Sequence, residues 1–129
     1  MFADGLVNLY TRDIEAAMHF YGDLLGLTES FRTPTEGLPE HVEFRAGGFT
    51  LGLGTVEAAR RVHGIEAEPG RPAMTLVLWT DDVERAYASV TAAGVPGLQP
   101  PHDTGNDNRN ALVRDPDGTL VEIVSKISS

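Results

Sequence analysis

The chain carries one pattern twice, 69 residues apart: Leu6-Val7-Asn8-Leu9-Tyr10-Thr11-Arg12-Asp13 and Thr75-Leu76-Val77-Leu78-Trp79-Thr80-Asp81-Asp82. Each copy is a short apolar run that ends at an Asp, followed by an aliphatic residue, a Glu and a helical pattern. The runs that close the two halves, 50–53 and 119–123, lie at the same offset. A duplication of this size predicts two similar modules that face each other across a shared cavity, where function is expected.

The composition is that of an acidic chain without cysteine. Its 129 residues suffice for one domain with a real core. The absence of Cys excludes disulfides and Cys-type zinc sites. There is no run of membrane-spanning length and no basic segment leading into an apolar stretch at the N-terminus, so we expect a soluble cytoplasmic protein. The net charge of −9 argues against nucleic-acid binding. The acidity either mainly keeps the protein in solution or favours cationic or neutral ligands over anionic ones.

The first half predicts a β-α-β-β-β module. Asp13 is a good helix N-cap because its carboxylate can accept hydrogen bonds from the free amides of the first turn. Apolar residues then recur at helical spacing, and Gly26 supplies a left-handed stop. We expect strands at 6–11, 27–32, 41–46 and 49–53, and a helix from 14 to 25.

The second half repeats the plan after a connecting segment. That segment contains a short helix at 55–63, capped by Thr55 and stopped by Gly64, and a Pro/Gly-rich linker at 66–72. The predicted boundaries are module one at about 4–54, the linker at about 55–73 and module two at about 74–127. We expect strands at 75–80, 95–99, 110–114 and 119–124, a helix capped by Asp82, and a polar loop at 100–108.

At this point two motifs resemble a known family, the vicinal oxygen chelate superfamily of glyoxalases, extradiol dioxygenases and bleomycin resistance proteins. They are Phe20-Tyr21 with Leu24-Leu25-Gly26-Leu27, and Arg114-Asp115-Pro116-Asp117-Gly118-Thr119-Leu120-Val121-Glu122-Ile123. The resemblance implies an α+β fold in which two tandem βαβββ modules form a curled mixed sheet around a shared cleft. It also implies a homodimer that can exchange modules between subunits.

The resemblance further implies up to four metal-ligand positions, on the opening and closing strand of each module. In this sequence they fall at Leu6, Leu53, Thr75 and Glu122. Only Glu122 has a competent side chain, and a lone carboxylate does not hold a divalent ion firmly because catalytic sites use about three protein ligands. We therefore expect no metal and no other cofactor, and keep two histidines in reserve for a non-standard site. They are His41, which opens a strand, and His102, in the polar loop.

Period-two alternation predicts the lining of the cleft. Its walls are mostly apolar with a few polar groups, which suits a small organic ligand. Trp79 is the only Trp, and it is either core filler at a strand end or a stacking platform for an aromatic or cationic ligand. The predicted lining residues are Leu6, Asn8, Tyr10, Leu51, Leu53, Thr75, Val77, Trp79, Leu120, Glu122 and Val124.

Two charged residues leave alternatives open. Glu122 could act as a general base or anchor a ligand cation or donor. Alternatively, it is a remnant satisfied by Thr75, Asn8 or Arg109. Arg109 could bind a ligand carboxylate, or pair with a surface acid such as Asp107.

Three functions follow from these residues. The first is a metal-independent protein of the bleomycin-resistance type that sequesters a hydrophobic or cationic drug or natural product. The second is a glyoxalase-like lyase, isomerase or dioxygenase that uses Glu122 as a metal ligand or base. The third is a binding subunit or regulator without chemistry, its cleft filled by side chains.

Overall fold

The computed structural model describes residues 1, 3–71, 74–105 and 107–127, so the Pro72 end of the predicted linker lies outside the described residues. The chain divides into two compact units, Met1–Pro69 and Gly70–Ser129. Each unit contains one βαβββ module with a four-stranded mixed sheet. The predicted α+β fold with two such modules is confirmed.

The sheet of the first unit has the order β1-β4-β3-β2. Its opening and closing strands, β1 and β4, are parallel, and the remaining neighbours are antiparallel. The closing strand therefore lies beside the opening strand. The strands are β1 (Val7–Thr11), β2 (Thr28–Thr33), β3 (His41–Ala46) and β4 (Phe49–Thr55).

The first helix begins where its cap was predicted. Asp13 accepts a hydrogen bond from the backbone N–H of Ala16 at 3.0 Å, and helix α1 spans Ile14–Met18. The chain continues as a π-helical segment, His19–Leu24, where sequence spacing predicted uninterrupted α-helix. Gly22 lets this segment approach the sheet, because a Cβ there would lie 3.0 Å from Phe44 Cε1.

Helix α2 (Val56–His63) belongs to the first unit rather than to an open connection. Thr55 caps it by accepting from the N–H of Ala58, and Gly64 ends it in the left-handed region at φ 68°. Both ends lie where the sequence predicted them. The helix lies close to β4 and β1.

The second unit repeats the topology with the strand order β5-β8-β7-β6. Asp82 caps its helix by accepting from the N–H of Arg85 at 3.1 Å, which matches Asp13 in the first unit. β5 and β8 are parallel, as β1 and β4 are. The elements are β5 (Thr75–Trp79), α3 (Val83–Ala92), β6 (Gly97–Asp103), β7 (Asn108–Arg114) and β8 (Leu120–Lys126).

The polar loop predicted at 100–108 is wrong over its first half. Strand β6 continues through Pro100 and Pro101 to Asp103, so His102 lies in a strand and pairs with Asn110. A proline cannot donate to a neighbouring strand, which makes the sequence read as a loop. β6 is the edge of its sheet, and its pairing with β7 shifts register between Gln99 and His102, so the prolines are tolerated there.

Helix α1 covers one face of the first sheet, and helix α3 covers one face of the second. The core of each unit lies between that helix and its sheet. These side chains are nearly all aliphatic or aromatic, so burial of apolar surface holds each module together. The buried apolar residues include Leu9, Ile14, Phe20, Tyr21, Val42, Phe44, Leu51 and Leu53 in the first unit, and Leu76, Val83, Val90, Ala111, Val113, Val121 and Ile123 in the second.

Candidate functional site

The candidate site residues of the first unit lie on the sheet face that turns away from α1. From Asn8 to Thr11 of β1, Leu9 and Thr11 are buried, whereas Asn8 is exposed and Tyr10 is half-buried. This alternation follows from the period of two along a strand. Val7 at the start of the strand is exposed, as is Leu6 just before it. The predicted placement of Leu6, Asn8 and Tyr10 on one face is consistent with this burial.

The prediction that Leu53 shares this face is wrong. Leu53 pairs with Leu9, is 1% exposed and belongs to the core, as does Leu51. The closing strand of the first unit is shifted by one residue from the predicted register. Val7 pairs with Leu51, whereas its counterpart Leu76 pairs with Val121, which lies one residue further along the second module than Leu51 does along the first. A slip of one residue moves a side chain to the opposite face. The first-unit counterpart of Glu122 is therefore Gly52.

Two glycines open the centre of this face. Gly52 and Gly54 pair with Asn8 and Tyr10, and neither has a side chain to fill the sheet surface. The neighbours fold over Gly52, where a Cβ would overlap Asn8 Oδ1 and lie 3.1 Å from His41 Cε1. The position cannot ligate a metal.

His41 lies on the same face with a carboxylate partner. Its Nε2 is 2.9 Å from Glu43 Oε2, and both side chains are about three-quarters buried, at 26% and 22% exposure. Its ring centroid lies 6.2 Å from that of Phe31. Beside His41, between the sheet face and α2, lies a cavity of about 390 Å³ that Asn8 and Tyr10 also line.

The second unit brings its predicted site residues together. Val77 pairs with Glu122, and Trp79 pairs with Val124, so these side chains share one face with Thr75. Thr75, Val77 and Trp79 are exposed, and Glu122 is half-buried. The predicted register of this module is consistent with the pairing.

Glu122 has no hydrogen bond or ion pair with any residue that the structure describes. Its strand neighbours Val77 and Leu112 are apolar. Of the partners suggested for a structural remnant, Arg109 lies on the opposite face. The carboxylate is therefore available to a ligand.

Arg109 does not line the candidate site, contrary to the prediction. Strand alternation places it with Ala111 on the helix side of the sheet, where it pairs with Glu84 of α3 and, at 2.8 Å, with Asp103 of β6. The hydrogen bond that Arg109 donates to Glu84, followed by the one that it donates to Asp103, raises the pKa of Arg109. The alternative prediction, that Arg109 pairs with surface acids, agrees with these contacts, and the acids are Glu84 and Asp103.

Trp79 is not core filler, since it is 60% exposed. Lys126 Nζ lies 5.4 Å from the centroid of its ring, within the range of a cation–π contact. Nearby on this face, Asn108 Oδ1 and Asn110 Oδ1 are buried without a hydrogen-bond partner among the described residues. The Trp79 ring therefore already holds one cation, the Lys126 ammonium group, and two side-chain oxygens on the same face accept no hydrogen bond from the described residues.

The residues at the family's metal positions do not fit a divalent ion. With the register corrected, these positions hold Leu6, Gly52, Thr75 and Glu122, which together offer one ligating side chain. Within the described ranges, no group of three His, Cys, Asp or Glu side chains is arranged to hold a metal. The histidines held in reserve have other contacts: His41 with Glu43, and His102 Nδ1 with the carbonyl oxygen of Pro100 at 2.9 Å.

Two features were not predicted from the sequence: the glycine trough, which is the part of the first-unit sheet face formed by Gly52 and Gly54, and the position of Lys126. The signal for the trough was present in Leu51-Gly52-Leu53-Gly54, where glycine alternates with leucine at the period of a strand. Because successive residues of a strand face opposite sides, placing the two leucines in the core places the two glycines on the other face. No local signal places Lys126 over Trp79.

The sequence of this chain matches the profile of a known superfamily. The sequence profile of the Glyoxalase/Bleomycin resistance protein/Dioxygenase superfamily matches residues 5–123, and the chain is a member of that superfamily. The resemblance drawn from the two sequence motifs is confirmed. A comparison with curated proteins found no significant match.

Solved structures share the fold. Hypothetical protein SA1046 from S. aureus is 21% identical with a TM-score of 0.81, covering 97% of this chain and 94% of that chain. A glyoxalase-related enzyme from Fulvimarina pelagi is 28% identical, with a TM-score of 0.78 and coverage of 97% and 89%. Lactoylglutathione lyase from Agrobacterium tumefaciens is 24% identical, with a TM-score of 0.76 and coverage of 97% and 95%. Their names range from unassigned to enzymatic, so the likeness shows the fold.

None of the helices in the described part of the chain is both long and apolar enough to cross a membrane.

Proposed function

We propose that this chain binds a small organic molecule without a resident metal ion, in the manner of the bleomycin resistance proteins, and sequesters a hydrophobic or cationic drug or natural product. The observation that carries the proposal is the donor set at the family's ligand positions. Leu6 and Gly52 offer no donor, Thr75 offers a poor one, and Glu122 is a single carboxylate. No step through a metal follows from such a set.

The exposed face of the second unit supports a cationic, partly apolar ligand. Trp79 offers an aromatic surface, Val77 an apolar one and Glu122 a carboxylate that no described residue pairs with. A cation over an exposed aromatic ring contributes about 0.5–1 kcal/mol, and a carboxylate adds directional attraction. Lys126 already lies over the ring, so a ligand cation would compete with it or share the face.

The proposal is tested with the hydrophobic cation tetraphenylphosphonium, followed by the fluorescence of Trp79, which reports locally because it is the only Trp. We expect saturable quenching, and binding weakened about tenfold in Glu122→Gln, equivalent to ~1.4 kcal/mol. Glu57→Gln, an exposed acid on α2, is the matched control and should bind as the parent does. Absence of saturable binding to the cation would count against the proposal.

Elemental analysis of the purified protein provides the second arm. The proposal expects no stoichiometric divalent metal. A stoichiometric ion that disappears in Glu122→Ala would overturn it and favour the second candidate, a glyoxalase-like lyase, isomerase or dioxygenase. The observation in favour of that candidate is the half-buried Glu122 carboxylate, which has no partner in the described part of the chain and could also serve as a base without a metal.

The family resemblance also supports a cytoplasmic homodimer, with modules exchanged between subunits as one arrangement. Sedimentation equilibrium checks the stoichiometry. A monomer at all accessible concentrations would remove this part of the proposal and leave ligand binding to be tested by itself.

A further inference from the structure

The cavity between the first-unit sheet and α2 has the properties of a ligand pocket. Its volume of about 390 Å³ falls within the usual range for small-molecule sites. All of its lining residues belong to the first unit, whereas Trp79 and Glu122 belong to the second. Its lining includes Asn8, Tyr10, His41, Gly54, Ala58 and Val62.

The space exists because β4 has a glycine at this point. Gly54 pairs with Tyr10 on one side and His41 on the other, so it separates two large rings. A Cβ at Gly54 would be 3.7 Å from Tyr10 Cδ1, which is ordinary contact. The backbone therefore accepts a larger residue, and that residue would occupy the cavity rather than disrupt the sheet.

The pocket offers hydrogen-bonding groups that the described residues leave unused. Neither the amide of Asn8 nor the hydroxyl of Tyr10 has a hydrogen bond with any of them. An amide supplies both donors and an acceptor, and a phenol supplies one of each. Together they match a ligand group with the same mixed character, such as a carboxamide or a phenol.

Three of the ionisable side chains at the pocket, Glu40, His41 and Arg61, already have a partner of complementary charge. Arg61 Nη2 lies 2.7 Å from Glu40 Oε2, and His41 Nε2 lies 2.9 Å from Glu43 Oε2. An ionic ligand would therefore need to break one of these pairs or bring its charge in without a partner, which costs free energy. The apolar side is supplied by Ala58 and Val62 of α2.

We propose that this pocket binds an uncharged aromatic molecule carrying a carboxamide or hydroxyl group, with its ring between Tyr10 and α2 and its polar group hydrogen-bonded to the Asn8 amide and the Tyr10 hydroxyl. The inference rests on the proposed small-molecule function and deepens it, because it adds a site and a ligand class distinct from the cationic compound expected at Trp79.

The test uses three probes with one ring system and different charge: naphthalene-2-carboxamide, naphthalene-2-carboxylate and protonated 2-naphthylmethylamine. Titration calorimetry on the full chain should show that the carboxamide binds at least about tenfold more tightly than either ion. Nuclear magnetic resonance should show shifts of the His41 ring protons on addition of the carboxamide. Equal binding of all three probes, or no binding of the carboxamide, would overturn the proposal.

Two variants locate the site. Gly54→Val fills the cavity and should weaken carboxamide binding at least about tenfold, while Gly48→Val, in a turn where a Cβ meets nothing within 4 Å, should leave it unchanged. Tyr10→Phe keeps the ring and removes the hydroxyl, so it tests the polar contact even if Gly54→Val folds poorly. Carboxamide binding unaffected by both Gly54→Val and Tyr10→Phe would overturn the assignment.

The two probes distinguish the pocket in the first unit from the proposed function. Tetraphenylphosphonium binding that depends on Glu122, without carboxamide binding, would overturn the pocket in the first unit and leave the proposed function standing. Absence of binding by both probes would overturn both.

Discussion

At the centre of its sheet, the first module has Gly52 where the second has Glu122. Both positions lie on the closing strand, opposite Asn8 and Val77 of the opening strands. In the first module the missing side chain lets Asn8 and His41 fold over the strand, and Gly54 leaves a cavity. In the second, a carboxylate without a partner among the described residues stands beside an exposed Trp79.

The difference shows that one duplicated backbone presents two chemically distinct surfaces. The modules share strand order, parallel pairing and Asp-capped helices. What separates them is side-chain chemistry at a few positions on one face, which the fold leaves free to vary. The two surfaces therefore carry two different proposals: an uncharged ligand with mixed hydrogen-bonding groups for the first, and a cation for the second.

The largest expected effect tests the corrected register. The offset of 69 residues makes Leu53 and Glu122 equivalent in the sequence. In the structure, Leu53 is buried on the helix side of its sheet, whereas Glu122 is half-buried on the other side. We expect Leu53→Ala to lower the free energy of unfolding by about 2–5 kcal/mol through loss of burial and a residual cavity. Glu122→Ala should change it by about 0.5 kcal/mol or less. Urea denaturation measures both, and equal costs would show that the register is wrong.

The next effect probes the close approach over Gly52. Gly52→Ala places a Cβ against Asn8 and His41, so we expect a loss of about 1–3 kcal/mol of unfolding free energy from overpacking. In the double variant Asn8→Ala/Gly52→Ala, part of the loss should be recovered, with a coupling of at least about 0.5 kcal/mol. Gly48→Ala is the matched control. Additive effects of the two substitutions would contradict the contact.

A third prediction concerns what the modules share. Asp13→Ala and Asp82→Ala each remove a cap that accepts one backbone hydrogen bond, at 3.0 and 3.1 Å. Each should cost about 0.5–2 kcal/mol, and the two costs should be similar. Thermal and urea unfolding of the pair provide the measurement. If only one substitution had an effect, the helix starts would not be equivalent.

The smallest effect is a pH dependence confined to the first unit. The hydrogen bond from Arg32 lowers the pKa of Glu29 below its ordinary value of 4.5. Because the folded-state pKa is the lower one, the stabilisation is fully present above the unfolded-state value and is lost as the pH falls through the folded-state value. The stability difference between the parent chain and Arg32→Gln should therefore be larger at about pH 6 than at about pH 3. A difference that grows on acidification would refute this.

Local signals in the sequence predicted most of the fold correctly. Asp13, Asp82, Thr55 and Gly64 act at short range, through hydrogen bonds and backbone conformation within one turn, so their effect is legible without tertiary context. The edge strand through Pro100 was missed because proline is disfavoured in strands generally, and only its place at the sheet edge makes it acceptable.

The site was predicted less completely than the fold. The face of the second unit that holds Thr75, Val77, Trp79 and Glu122 followed from strand alternation, which needs only the register of one strand pair. The placement of Leu53 failed since register depends on the number of residues between two strands, and the modules differ there by one. Arg109 failed because its partners, Glu84 and Asp103, are distant in the chain.

The amino-acid sequence alone determined that this protein consists of two βαβββ modules, where their helices begin, and that the usual metal donors are missing, because each depends on residue identity at short range. Tertiary structure decided which closing-strand residues face the helix, that the glycines of β4 border a cavity beside α2, and that Lys126 lies over Trp79. Those outcomes depend on how strands align in space, and a shift of one residue reverses them.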